Sequence, residues 1–336
     1  MTAASLLAAA AALGFSSLFL LFVLAAVWFF DRYDREPVAL VAAVFLWGAV
    51  PVPVLAVVAE AVAGHLLAAA GGGPWTGPIQ AVIVAPGVEE FLKGLAVLGV
   101  VLLSDQFDNP TDGVVYGTAV GLGFAMSENA LYALGALGQG PGHVGMLVLV
   151  RTLTSAGVHA VASAALGGML GIAYLTRRWL GRIAVAAGGY LLAVGLHTAW
   201  NLAAERWALY GDGRSLATAL AALPVVYLVY VLVLGGFLHW EHRLLLRELG
   251  REVELGVLPE WVVEVLPRYR RRVRSDWWPS RSERTVIARL LTRLAFRKHA
   301  IAHLPEDEAR LAGLEVVRLR ERARKILGAG GPAGAS

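Results

Sequence analysis

The 336-residue sequence contains no cysteine, which excludes a disulfide framework, thiolate metal sites, a cysteine nucleophile and lipidation on cysteine. It is also poor in charge. Asp, Glu, Lys and Arg make up 16% of residues, against about 25% in an average soluble domain, while 57% are hydrophobic. Mean hydropathy is +0.64. A chain with so little charged surface is not a water-soluble globule, and its apolar content excludes disorder. Three signatures are missing as well: the serine-protease elbow, the HExxH zinc helix and the Walker phosphate loop.

What is present is a series of apolar runs long enough to cross a bilayer, which takes about 20 residues. Seven are expected, at roughly 5–30, 37–70, 79–103, 113–137, 144–175, 182–204 and 216–239. The second carries Pro51 and Pro53, which predict a kink. No basic stretch precedes the first run, which is therefore expected to be a retained helix and not a cleaved signal. The fold class expected is all-α, a polytopic transmembrane bundle over 1–239 followed by a helical tail over 240–336. That tail holds 20 of the 29 basic residues and 13 of the 25 acidic ones, a net +7, leaving −3 for the membrane part. Arg32 and Arg35, then Arg177, Arg178 and Arg182, and finally the tail place basic loops on one side, so the N-terminus is expected outside and the tail in the cytoplasm. Helical spacing predicts amphipathic helices over 281–299 and 305–327, the second opened by Pro305 and the acids that follow it. The run from Arg268 to Pro279 mixes basic and aromatic residues, a composition suited to anionic lipid headgroups and not to nucleic acid.

Inside the runs, ionisable residues are rare, and each costs about 2.5–3.5 kcal/mol at mid-membrane. Glu89, Glu90 and Lys93 lie in the third run, Glu128 in the fourth, Arg151 and His159 in the fifth, and His197 with Asn201 in the sixth. At 1.5 Å per residue, Glu89, Glu128 and His197 fall roughly 15, 14 and 10 Å below the outer surface, and His159 about 22 Å. Four helices thus bring polar side chains to one slab. Gly113, Gly117 and Gly121 repeat every four residues, as closely packed membrane helices require, and Phe124, Glu128 and Tyr132 continue that face. Lys93 is one turn from both glutamates, and Arg151 is expected to be structural, pairing a loop acid.

Paired carboxylates with imidazole and amide in a dehydrated cavity suit activation of water. One acid serves as general base, while His and Asn meet the developing oxyanion. The same acids with two histidines also suit a divalent ion such as Zn2+, held by Glu89, Glu90, His159 and His197. Two non-hydrolytic readings stand beside these: a proton-coupled transporter, since intramembrane Glu and His mark proton relays, and a scaffold in which the acids are structural.

FDRYDREPV from Phe30, EEFLKG from Glu89, FDNPTDGVVYGTAVGLGFAMSENALY from Phe107, VHA around His159 and HTAWN from His197 resemble, in order, the successive motifs of PrsW-type intramembrane proteases. These belong to a wider group of glutamate-dependent membrane proteases that includes the CAAX prenyl proteases. The resemblance implies that Glu89 and Glu90 are the water-activating pair, that Glu128 and His197 are further catalytic positions, that Asn201 lies on the oxyanion side and that His159 is a recurrent site histidine. It further implies an endopeptidase acting on a single-span membrane protein, such as first-site cleavage of an anti-sigma factor, with no cofactor in the glutamate reading and Zn2+ in the metalloprotease one.

Overall fold

In hydrocarbon a backbone must satisfy its own hydrogen bonds, and the apolar runs accordingly fold as helices. The computed structural model describes residues 2–274, 277–278 and 281–329; Ser275, Asp276 and Pro279 of the basic-aromatic run lie outside the described residues. Among the described residues every regular element is helical: α1 Ala3–Phe30, α2 Val38–Ala49, α3 Pro51–Ala69, α4 Thr76–Ile79, a π-helical turn Gln80–Val84, α5 Ala85–Leu103, α6 Pro110–Ala136, α7 Pro141–Leu153, α8 Ser155–Tyr174, α9 Trp179–Tyr210 and α10 Gly213–Glu254. The tail adds α11 Trp261–Val265, α12 Tyr269–Val273, α13 Arg281–Ile301 and α14 Glu306–Ala329. The chain is thus an all-α, multi-pass membrane bundle.

Five of these units are long and apolar enough to cross a membrane: α1, α2 with α3, α7 with α8, α9 and α10. The other two expected spans are α5 and α6, helices of 19 and 27 residues that carry the charged side chains. Large side chains such as Leu18, Phe22, Val57, Leu191 and Leu232 face outward, a surface that only lipid tolerates.

Proline and threonine break the spans where the chain needs a bend. The helix stops at Val50 before Pro51 and restarts as α3, as the two prolines predict. The fifth run, expected as one helix, divides at Thr154, whose backbone leaves the ideal helix at φ −119° and ψ −76°. Tyr227 supports this break by donating its hydroxyl to the Thr154 carbonyl at 3.1 Å. In the third run, Pro86 has no N–H for the preceding turn, which widens into the π-helical turn ahead of α5.

Helix α6 runs through the middle, with every residue from Pro110 to Ala125 buried. Its start is fixed by a capping box in which Asn109 accepts from the Thr111 and Asp112 N–H groups, while Asp112 accepts from the Asn109 N–H. Glycine lets neighbouring backbones touch it on two sides. A Cβ on Gly117 would lie 2.2 Å from the Ser163 carbonyl oxygen of α8, and one on Gly48 would lie 2.1 Å from that of Val120. The glycine stripe of α6 therefore seats α8, and α2 packs on the other face.

Helix α10 has 42 residues, about 63 Å, twice the roughly 30 Å hydrocarbon thickness. Residue 239 lies within it, so bundle and tail are joined by continuous helix. Beyond that point Leu244, Leu245 and Leu249 enter a second hydrophobic core with Ile287, Leu291 and Leu294 of α13. Glu252, fully buried, binds Lys298 at 2.7 Å and Arg320 at 2.6 Å, tying α10 to α13 and α14. The tail grips two loops of the bundle and the first turn of α9. Arg272 donates to the Tyr33 carbonyl at 2.9 Å, Arg293 pairs with Asp105 at 2.7 Å, and Arg182 forms a bidentate pair with Glu308 at 2.9 and 3.0 Å.

Candidate active site

The site grows from α5. Glu89 and Glu90 are sequence neighbours, and Lys93 is one turn further on, so all three project toward the same side. All are buried: Glu90 and Lys93 at 0% exposure and Glu89 at 8%. Burial of three charges is tolerable only if they satisfy one another. The Lys93 ammonium lies 2.8 Å from Glu90 Oε1, 3.4 Å from Glu89 Oε2 and 3.1 Å from His159 Nδ1, with the Phe124 ring centroid 3.9 Å away.

Glu90 is saturated. Besides Lys93 it accepts a hydrogen bond from Ser163 Oγ at 3.0 Å, and His197 Nδ1 sits 3.0 Å from Oε1. With a carboxylate there, Nδ1 carries the hydrogen, and Nε2 is left facing Glu89 Oε2 at 3.9 Å. That distance is too long for a direct hydrogen bond and short enough for one oxygen atom to contact both groups. Glu89 is the least committed of the buried groups, with a single 3.4 Å ion pair.

His159 makes the second half. Its Nδ1 accepts from Lys93, so Nε2–H donates to Glu128 Oε2 at 2.7 Å. The two imidazoles meet edge to face, with centroids 4.6 Å apart. Glu128 also pairs with Arg151 at 2.7 Å, and that guanidinium lies over the Tyr132 ring at 3.5 Å. Arg151 was expected to pair a loop acid. It pairs instead with a site glutamate, because α7 ends at Leu153 and its last turn faces the Glu128–Tyr132 stripe of α6.

Five of the six expected catalytic residues, Glu89, Glu90, Glu128, His159 and His197, thus join one network with Lys93 at its centre. Asn201 is engaged elsewhere. Its Nδ2 donates to the Ala81 carbonyl at 3.0 Å. In the π-helical register that carbonyl would accept from residue 86, a proline without N–H, so Asn201 supplies the missing donor and anchors α9 to the turn before the glutamates. Glu89, His159 and His197 each offer a donor atom within 4.8 Å of the others, and all three are buried; Glu90 stands outside this trio, its oxygens already taken.

Four participants were not foreseen. Ser163 lies one turn after His159, a spacing visible in the sequence. Glu60 on α3 is an acid within an apolar run, half-buried and close enough to feel the charges of Glu128, His197 and Lys93; the cost of membrane burial marks it by the same logic as the others. Tyr190 and Trp47 donate to the α5 carbonyls of Gly87 and Leu92 at 2.9 and 3.1 Å, holding that helix in place.

A second polar cluster lies at the tail-side end of α6. Asp31 and Glu36 from the α1–α2 loop, Asp108, Asp112 and Glu241 are all buried there, and the Tyr116 hydroxyl donates to Glu36. Burial pushes the Glu36 carboxyl up to about 8, partly opposed by hydrogen bonds with Asp112 and Tyr116. Burial likewise holds the Asp31 carboxyl well above its ordinary range, with Glu241 and Glu36 adding to the effect.

Buried carboxylates and imidazoles at the centre of a polytopic helical membrane protein are the groups that a membrane-embedded hydrolase needs. The model of the PrsW family intramembrane metalloproteases matches residues 36–234, which include every member of the network, and the chain belongs to that family. It is 32% identical over 203 residues to the protease PrsW of Geobacillus kaustophilus, covering 58% of this chain and 82% of that protein. It is 33% identical over 144 residues to the protease PrsW of Bacillus subtilis, covering 42% and 59%. No solved structure matches the chain. The chain is an intramembrane protease, and the transporter reading gives way to hydrolysis.

Proposed function

We propose that Glu89 is the general base, which takes a proton from a water molecule lying between its carboxylate and His197, and that the resulting hydroxide attacks the substrate carbonyl. The observation that carries this is the asymmetry of the pair: Glu90 is saturated by Lys93, Ser163 and His197, whereas Glu89 has only the long 3.4 Å contact with Lys93 and faces Nε2 across a gap. Glu90 is then a positioning residue. Its carboxylate accepts the Nδ1–H of His197, which leaves the Nε2 lone pair to accept the second hydrogen of the water and hold its oxygen toward the substrate carbonyl. Glu89 returns its proton to the leaving amine. Glu128, held by Arg151, fixes His159 against Lys93, and Asn201 acts by holding the π-helical turn.

The donor set also fits a divalent ion, since a carboxylate and two imidazoles are a common zinc set. Glu89, His159 and His197 would hold it, with one His159 nitrogen giving up its present partner, Lys93 or Glu128, to the ion. Such an ion, when bound, supplies Lewis-acid polarisation of water. Cleavage that survives exhaustive chelation supports the glutamate reading, and loss restored by zinc supports the metal one.

The substrate class is a single-span membrane protein, with an anti-sigma factor as the specific candidate. We place the enzyme in the cell membrane with its N-terminus outside and its tail in the cytoplasm. The loops at 31–36 and 104–109 and the first turn of α9 all touch the basic tail, which supports one common side for them. Membrane proteomics of cells carrying wild type or Glu89→Gln tests the function. A single-span protein should be shortened in the first and intact in the second, and an identical peptide profile in both would overturn the assignment.

A further inference from the structure

Two consecutive tail helices and a loop far from them in sequence converge where α1 leaves the membrane. Arg32 and Arg35 come from the α1–α2 loop, Tyr269 and Arg272 from α12, and Arg284 and Arg289 from α13, together lining a cavity of about 260 Å³. Five guanidinium groups around one small cavity repel one another, and the usual remedy is carboxylate partners. None of the five has one: among the described residues, no carboxylate lies within ion-pair distance of Arg32, Arg35, Arg272, Arg284 or Arg289.

The groups are held by other means. Arg35 donates to the Asp31 carbonyl at 3.2 Å and lies over the rings of Trp28 and Phe29. Arg32 sits over the Tyr269 ring at 5.5 Å, and Arg284 donates to the Arg274 carbonyl at 3.2 Å. Arg272 spends Nη2 on the Tyr33 carbonyl at 2.9 Å, while its Nη1, shielded from solvent, has no hydrogen-bond partner. Carbonyls and rings fix these side chains without neutralising them, which leaves oriented N–H donors turned to a shared space. The acids that Arg272 feels most are Asp34 and Asp31. Burial favours the neutral form of Asp31, which weakens the negative charge set against the cavity.

We propose that this cavity binds a phosphate group. Planar guanidinium groups match phosphate oxygens two at a time, and a basic pocket at the end of a membrane helix is placed to receive a headgroup. Two sources share that chemistry, an anionic phospholipid at the membrane boundary and a soluble phosphate. Bound phosphate would link the α1–α2 loop to α12 and α13 and so dock the tail on the bundle.

The test uses the full chain in neutral detergent and reads its thermal midpoint after adding phosphatidylglycerol, phosphatidylcholine or inorganic phosphate at fixed ionic strength. Phosphatidylglycerol should raise the midpoint well beyond phosphatidylcholine if the source is lipid; inorganic phosphate should do so alone if the source is soluble, and either result supports the site. Arg284→Gln with Arg289→Gln should lose at least half of that shift. Arg322→Gln with Arg324→Gln, which removes the same charge from exposed positions on α14, should keep it. Native mass spectrometry of the wild type should show one tightly retained phosphate-bearing molecule. Absence of any specific shift in the wild type, or an equal loss in both double variants, would overturn the proposal. The wild-type result stands even if a variant fails to fold.

Discussion

Replacing Gly117 by Ala probes the interface on which the whole site depends. The added Cβ would lie 2.2 Å from the Ser163 carbonyl oxygen and 2.7 Å from the Ala164 Cα, whereas ordinary contact begins at 3.4 Å. Both obstacles are backbone, so α6 and α8 must separate by about 1 Å at this crossing. Overpacking of that size costs about 1–3 kcal/mol, offset by up to about 1 kcal/mol from the better helix former. The same displacement stretches the 2.7 Å bond between His159 on α8 and Glu128 on α6 to about 3.7 Å, beyond hydrogen-bond range. A misplacement of about 1 Å typically lowers turnover on the order of 100-fold. Tryptophan fluorescence in detergent should show a midpoint lowered by on the order of 5 °C, and cleavage in proteoliposomes should fall by one to two orders of magnitude. Gly235→Ala is the control, because a Cβ there meets nothing within 4 Å. A Gly117→Ala enzyme as stable and as active as the Gly235→Ala one would refute the close-packing argument.

Lys93→Met leaves two buried glutamates without their counter-charge. It should destabilise the fold by about 3–5 kcal/mol, and the double variant with Glu90→Gln should recover part of that loss in denaturation measurements. Asn201→Ala should cost about 1–3 kcal/mol by orphaning the Ala81 carbonyl, and should slow cleavage less than loss of Glu89 does. The acid cluster at the tail-side end of α6 predicts a pH dependence. Because the folded Glu36 carboxyl titrates near 8 and the unfolded one near 4.5, the folded state holds the extra proton between those values, and stability falls as pH rises through that window. The slope from this group is at most about 1.4 kcal/mol per pH unit. Unfolding of Glu36→Gln between pH 6.5 and 8 should be flatter than wild type, and an unchanged slope would count against a buried proton at this position.

The helices were legible because lipid leaves the backbone few choices, and α13 and α14 because their apolar residues recur at helical spacing. The site was legible for the same reason: Glu89, Glu128, His159 and His197 are costly in an apolar run, and the 113–117–121 glycines fixed which face of α6 points inward. The division at Thr154 was not, since a threonine inside a helix is ordinary until Tyr227, over 70 residues away, supplies the donor that stabilises the break. Partner choice was hidden for a related reason. Arg151 reaches Glu128, and Asn201 reaches Ala81, through helix neighbours that spacing along one helix does not reveal. The buried acids Asp31, Glu36, Asp108 and Asp112 come from two loops and the helix start that follows one of them, and Glu241 from within α10 just past its apolar run, so each looks solvated when read alone.

The most direct test compares wild type and Glu89→Gln, purified and reconstituted in proteoliposomes with a single-span substrate. General-base removal should lower cleavage by about 100-fold to 10,000-fold while the thermal midpoint stays within a few degrees, since Glu89 holds only one 3.4 Å ion pair. Cleavage by Glu89→Gln within tenfold of wild type, at equal folding, would contradict the account.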